Sequence, residues 1–391
     1  MAGIYIHIPF CKQACHYCNF HFSTSLSLKD EMTDALKKEI ALSVDFYYDK
    51  EEIIETIYFG GGTPSLLHKR DIEKLLFAIK NSYSINPSAE ITLEANPDDI
   101  TIEKLNNWKD AGINRLSIGV QSFKEEDLLW MNRVHTATES IECINMVNDT
   151  GLDNFSVDLI YGIPSLTDEE WHKNVQKIIN LEVPHVACYA LTVEPKTALQ
   201  KMIQLDKKKD VDPDNQARQF SLLMKWMRDA GYEHYEISNF AKPGFRSRHN
   251  SSYWKGDSYL GIGPSAHSYN GKARRWNIAN NALYIQSINK NVIPFEEEIL
   301  TKTQQLNEYI MTSLRTMEGL DLNFVENRFS INEKRMIEKG VENYITKNMI
   351  FLKEERLILT DHGKLFADGI ASDLFVVPDI KLVAGYSKNS Y

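Results

Sequence analysis

The sequence predicts an α/β protein: a partial barrel of six β/α units, followed by a small winged-helix-like domain. Three observations predict it. Short β-branched runs alternate with amphipathic helical stretches over residues 4–189. The alternation then breaks, short of the eight units a complete barrel needs. Residues 301–378 read as three helices, a β-hairpin and a final helical segment.

Taken in order, strands are expected at 4–8, 56–59, 90–94, 115–118, 155–159 and 185–189, and helices at 29–47, 71–82, 102–110, 138–149 and 168–180. Strand–helix alternation on this scale makes a parallel sheet. Gly112 and Gly151 stand where helices end before the next strand. Thr101 and Thr167 are N-cap candidates with acidic residues in the turn that follows. After Tyr189 the texture changes. The charged run 207–210 reads as a solvated surface, 216–230 as a helix, and 232–277 is rich in glycine and aromatic residues. The expected organisation is a core over 1–230, an extension over 231–300, the winged-helix-like domain over 301–378 and a flexible tail over 379–391.

The 391-residue chain carries a net charge of −10, which argues against broad nucleic-acid binding. Acidic residues outnumber basic ones in the C-terminal domain as well, so a structural or partner-docking role fits it better than DNA binding. No apolar run reaches transmembrane length, and the N-terminus lacks the basic start and apolar stretch of a secretory signal. A cytoplasmic protein with reduced thiols is expected.

Three of the five cysteines, Cys11, Cys15 and Cys18, fall within eight residues. A disulfide framework would be dispersed, so this cluster reads as metal binding. Cys143 and Cys188 lie in apolar contexts and read as buried core thiols. Four irons of a cubane normally take four thiolates. Three on one loop hold a [4Fe–4S] cluster with one iron left for the amine and carboxylate of a small molecule. Zinc, with His7, His16 or His21 as fourth ligand, is the alternative; the spacing favours iron–sulfur, since no second knuckle is present. Polar groups also follow four successive strands: Gly60-Gly61-Gly62-Thr63-Pro64, Glu94, Gln121-Ser122 and Asp158. Parallel β/α folds bind ligands at that end of their strands.

Cys-x3-Cys-x2-Cys after an N-terminal strand resembles the radical S-adenosylmethionine (SAM) superfamily. Tyr5-Ile6-His7-Ile8-Pro9-Phe10-Cys11 resembles that superfamily's coproporphyrinogen-oxidase-like branch, as do the motifs starting at Gly60, Glu94, Gly119 and Asp158. The resemblance implies that SAM binds the open iron and is cleaved to a 5′-deoxyadenosyl radical. It also implies that Tyr5, Tyr17, Gly61, Gly62, Thr63, Glu94, Gln121, Arg133 and Asp158 contact SAM: glycine carbonyls at its ammonium, the acidic side chains at ribose hydroxyls or the ammonium, Tyr17 against adenine and Arg133 at a carboxylate.

Two departures count against the branch's oxidising members. They carry a further cysteine where this chain has Phe20, and an N-terminal extension where this chain begins almost at the first strand. Arg248-His249-Asn250-Ser251-Ser252-Tyr253-Trp254 instead resembles a motif of the branch's haem chaperones. That implies haem as a ligand, His249 as candidate axial ligand, and Tyr253 and Trp254 beside the macrocycle. The expected function is a haem chaperone, a homodimer delivering haem to respiratory proteins. The alternatives are an oxygen-independent coproporphyrinogen III oxidase and a simple iron–sulfur electron carrier. The SAM motifs count against the last.

Overall fold

The computed structural model describes residues 2–46 and 52–376, and the expected tail lies outside them. The chain forms two units, one of residues 1–299 with 315–317, the other of 300–314 and 318 onward.

The first unit opens β1 (Ala2–Ile8), α1 (Lys29–Leu42), β2 (Ile54–Gly61), α2 (Lys69–Ser82), β3 (Ile85–Ala95), α3 (Ile102–Ala111), β4 (Arg115–Gln121), α4 (Glu125–Met131), α5 (Ala137–Asp149), β5 (Phe155–Tyr161), α6 (Asp168–Asn180) and β6 (His185–Ala190). Strands β1 to β6 pair in sequence order, all parallel. Their near-continuous apolar runs reflect burial on both faces. The helices turn stripes such as Ile72, Leu75, Leu76 and Ile79 of α2, or Trp171, Val175 and Ile178 of α6, onto the sheet.

The caps are those expected. Thr101 accepts the Lys104 N–H, Thr167 and Glu170 form a capping box, and Gly112 ends α3 in the left-handed region at φ 106°. Helix 29–47 is shorter than expected, ending at Leu42 in a turn; its last expected residue, 47, lies outside the described residues. Cys143 and Cys188 are buried, as their contexts implied.

The chain continues through α7 (Ala198–Gln204), α8 (Pro213–Asp229), β7 (Glu233–Glu236), β8 (Asn239–Ala241), α9 (Arg248–Lys255), β9 (Ser258–Ile262), β10 (His267–Tyr269), β11 (Ala273–Asn277), α10 (Asn281–Asn289) and β12 (Phe295–Ile299). These strands widen the same sheet on both sides. Antiparallel β8 and β7 follow β6; β9 lies parallel to β1 and leads through antiparallel β10 and β11 to β12. The partial barrel is thus a twelve-stranded mixed sheet that does not close. All five residues of its end strand β12 are exposed, among them Glu296, Glu297 and Glu298.

One buried carboxylate ties this widening to the core. Glu39 of α1 is 1% exposed and accepts from the Gly263 N–H (2.7 Å), Asn277 Nδ2 (2.6 Å) and the Tyr284 hydroxyl. Burial pushes its carboxyl up to about 6, against the pull of these three donors.

The second unit runs α11 (Lys302–Leu314), β13 (Leu320–Asp321), α12 (Leu322–Arg328), α13 (Ile331–Thr346), β14 (Ile350–Lys353), β15 (Arg356–Leu359), α14 (Asp361–Lys364) and α15 (Ala367–Asp373). Its antiparallel sheet, in the order β13-β15-β14, and its helix–strand–helix–helix–hairpin sequence make the winged-helix order expected. No helix among the described residues is long and apolar enough to cross a membrane.

Candidate functional site

The three clustered cysteines lie on the loop that leaves the carboxyl end of β1. Pairs of short bonds fix this loop. Cys11 N–H donates to the Ser23 carbonyl (3.0 Å) and Ser23 N–H to that of Pro9 (2.9 Å). His16 N–H donates to the Met131 carbonyl (3.1 Å), Asn132 Nδ2 to that of Ala14 (2.8 Å), and Leu199 N–H to that of His16 (2.7 Å). Lys12 reaches both Asp98 (2.7 Å) and Asp99 (2.6 Å) in the turn after β3. The ends of α4 and β3 and the start of α7 therefore hold a segment with no regular structure of its own.

A chain of side chains links two of the thiols. The Thr63 hydroxyl bonds the Cys11 sulfur, Asn96 Nδ2 donates to Thr63 Oγ1 (3.3 Å), and Asn96 Oδ1 accepts from Arg133 Nη2 (2.7 Å). Arg133 Nη1 completes the chain at Cys15 Sγ (3.3 Å), while Nη2 also meets the Gly119 carbonyl (2.8 Å). Burial pushes the Cys11 and Cys18 thiols up, Cys18 to about 11; the neighbouring cysteines add to this and Arg133 opposes it. The three sulfurs thus feel one another's charge. Among the described residues, however, no group of three or more His, Cys, Asp or Glu is gathered as a single metal ion requires. A cubane binds each thiolate at a separate iron and does not need that convergence on one point, whereas a single zinc does. The histidines considered for zinc are engaged elsewhere. His7 lies between the Tyr5 hydroxyl (3.2 Å) and the His21 carbonyl (2.8 Å), His21 on Asn281 (2.7 Å) and His16 on the Trp130 carbonyl (3.1 Å).

Beside the cysteines, the glycines after β2 press against their neighbours. A Cβ on Gly61, whose φ is 110°, would stand 2.6 Å from His7 Nδ1, and one on Gly62 would stand 2.6 Å from the Phe10 carbonyl oxygen. Only glycine permits that approach. Glu94 Oε2 accepts the Gly61 N–H (3.1 Å) and Oε1 the Tyr58 hydroxyl (2.8 Å). Burial pushes Glu94 and Asp158 each up to about 7; Asp158 raises Glu94 further, while Arg115 holds Asp158 back. Below them is a cavity of about 60 Å³, reached by Arg115, Tyr189, Ser247 and Asn250, room for about four waters. Thr92 Oγ1 lies buried there without a hydrogen-bond partner, and Arg115 Nε, also without a hydrogen bond, stands 3.8 Å from Glu90 Oε2.

The nine expected cofactor residues fall in two adjoining sets. Tyr5 of β1, Gly61 and Gly62 at the end of β2 and Glu94 of β3 gather together, while Tyr17, Arg133 and Asp158 interact around Cys15 and Cys18. Thr63 joins the sets, and Gln121, at φ 69°, sits across Gly119 from Arg133. Sequence reasoning missed Tyr58, Asn96 and Arg115. Asn96 was signalled by its place beside Glu94, but Tyr58 and Arg115 look like ordinary strand residues. The expected solvated run also differs at one residue. Lys208 is half-buried over the Trp130 ring (4.1 Å from its centroid) and reaches His16 (3.0 Å).

His249 is not at this mouth. It is 1% exposed, with Nδ1 2.8 Å from Thr56 Oγ1 and Nε2 2.9 Å from the Tyr253 hydroxyl. Burial pushes its imidazole down to about 3. Neither nitrogen is left for a haem iron in this arrangement.

Comparison with known proteins places this geometry. Residues 5–178 match the radical SAM superfamily and residues 300–366 the HemN C-terminal domain. The chain is 32% identical over 378 residues to the heme chaperone HemW of Lactococcus lactis, covering 96% of this chain and 97% of that one. The chain belongs to the HemW family of radical SAM proteins. The heme chaperone HemW of Bacillus subtilis is equally similar, 32% over 95% of this chain and 98% of its own. The fold of this HemW-family chain is that of the Escherichia coli coproporphyrinogen III oxidase HemN, with a TM-score of 0.82, 23% identity and coverage of 96% and 90% of the two chains. Radical SAM membership implies a [4Fe–4S] cluster and SAM, and the HemW-family site fits both: three thiols on one loop, a glycine cradle without Cβ atoms, and Arg133 Nε buried without a hydrogen-bond partner.

Proposed function

We propose that this chain is a haem chaperone that binds haem beside a SAM-liganded [4Fe–4S] cluster and passes the haem to respiratory proteins. The observation that carries it is the full-length likeness to curated heme chaperones, 32% identity over 97% of one such chain. Phe20 supports it, standing 66% exposed where the oxidising members of the branch would carry a further cysteine. Cys11, Cys15 and Cys18 hold the cluster, and Arg133 keeps positive charge at Cys15. Tyr5, Gly61, Gly62, Thr63 and Glu94 line one side of the SAM; Tyr17, Gln121, Arg133 and Asp158 line the other. When bound, the cluster supplies a one-electron reductant beside the SAM sulfonium. The chain's own work is to orient that sulfonium, accept hydrogen bonds from ribose hydroxyls and exclude water.

The test runs haem titration and oxidase assay on the same anaerobically reconstituted protein, with SAM and reductant present. The expected result is a stoichiometric haem absorbance band with no conversion of coproporphyrinogen III. Conversion to protoporphyrinogen would replace this reading with the oxidase.

The site also predicts a pH dependence. A carboxyl with a pKa of about 7 is charged above that pH and neutral below it. Glu94 and Asp158 are therefore expected to attract the permanently cationic sulfonium at pH 8 and to lose that attraction as the pH falls through 7. The SAM dissociation constant should rise about tenfold by roughly pH 6. Equilibrium dialysis with labelled SAM measures it, and a flat profile would remove both carboxylates from the SAM contact.

A further inference from the structure

The helix carrying the His-Asn-x-x-Tyr-Trp motif, α9, contributes Asn250 to the cavity that Glu94 and Asp158 also line. Glu90 of β3 accepts the N–H groups of Arg248 (3.1 Å) and His249 (3.0 Å), the first turn of α9, so a carboxylate faces the helix's positive end. Arg248 also donates to the Ser88 carbonyl (2.8 Å). In the sheet register Gly3 pairs with Thr56 and Thr56 with Glu90, placing all three on one level. On β1 that level is the amino end, opposite the cysteines. A Cβ on Gly3 would meet the His249 ring at 3.4 Å. α9 therefore packs against β1 and β2 at the level of Gly3 and Thr56.

From there, contacts lead upward. The His249 ring lies flat on Tyr58, with centroids 4.9 Å apart and planes 22° apart. Tyr5 stacks with Tyr58 as well, at 6.0 Å. The three rings form one cluster, Tyr5 also lying 6.5 Å from His249, and from it the Tyr58 hydroxyl donates to Glu94 Oε1 at 2.8 Å. We propose that His249 is a positioning residue: it fixes Tyr58, and through that hydroxyl it aims the Glu94 carboxylate at the SAM. This rests on the SAM reading of the site. It assigns His249 to the cofactor through packing, with no bond to haem iron.

The test uses the full-length reconstituted protein with labelled SAM and, separately, haem titration. His249→Ala frees the Tyr58 ring, and the SAM dissociation constant should rise about tenfold, the scale of one hydrogen bond to a charged group. His249→Gln keeps a flat polar group between Thr56 and Tyr253 and should restore affinity to within about threefold of wild type. Haem binding should be unchanged in both. Should His249→Ala fail to fold, Tyr58→Phe, which removes only the hydroxyl, should weaken SAM equally. Unchanged SAM affinity in these variants, or loss of haem binding with SAM intact, would overturn the inference alone. Wild-type protein that takes up no SAM would overturn the site reading and this inference with it.

Discussion

Cys15→Ser is expected to leave the anaerobically reconstituted protein colourless, without the broad visible absorbance of an iron–sulfur cluster. With only three thiolates in the motif, the loss of one leaves two irons without a protein ligand instead of one. Cys15 is also where the side-chain chain from Cys11 through Thr63, Asn96 and Arg133 ends. A serine hydroxyl there would still meet Arg133, so the fold should survive while the cluster does not. Cys143→Ser supplies the control. That thiol is buried in α5 with its sulfur on the Ser140 carbonyl, and the variant should keep its iron and colour. Equal iron and sulfide in Cys15→Ser and wild type would remove the cluster from this loop.

Glu39→Ala is expected to destabilise the first unit by about 3–5 kcal/mol, measured by urea unfolding followed through tryptophan fluorescence. The substitution strands three buried donors at once, on Gly263, Asn277 and Tyr284. It also opens a void between α1 and α10. Glu39→Gln, which keeps the volume and one acceptor, should cost far less. The pH dependence separates charge from packing. Burial raises the folded carboxyl to about 6, above the 4.5 of a free glutamate side chain. The folded state therefore binds the proton more tightly than the unfolded state does. The resulting stabilisation is full below pH 4.5 and declines as the pH rises through 6, about 2 kcal/mol in all. Comparing the two proteins at each pH cancels the other titrating groups, so the wild-type advantage over Glu39→Gln should shrink across that window. A constant difference would mean that Glu39 stays ionised in the folded protein.

The six central strands were legible because each is a short run carrying buried apolar residues between helices with apolar stripes. The strands at the sheet's sides were not. β8 and β10 are three residues each, too short to show alternation, and β8 pairs with β6, distant in sequence. The short helices α4 and α7, seven residues each, carry too few turns to show periodicity. Within the site, residues with a motif around them were visible, and those that work through a partner were not. Tyr58 reads as a strand aromatic until Glu94 is seen to accept its hydroxyl. Arg115 reads as a surface charge until its 2% exposure is known. His249 shows the limit most clearly. Its motif marked a residue of consequence, but only the register of Gly3, Thr56 and Glu90 reveals the level of the strands at which it packs.

The end strand β12 bears on how copies of this protein behave at high concentration. An exposed sheet margin offers free backbone donors and acceptors on which a second molecule could template, the first step of fibre growth. Glu296, Glu297 and Glu298 stand on that margin, and Arg275 of the adjacent strand pairs with Glu297. Two copies approaching margin to margin would bring like charges together before any backbone bond could form.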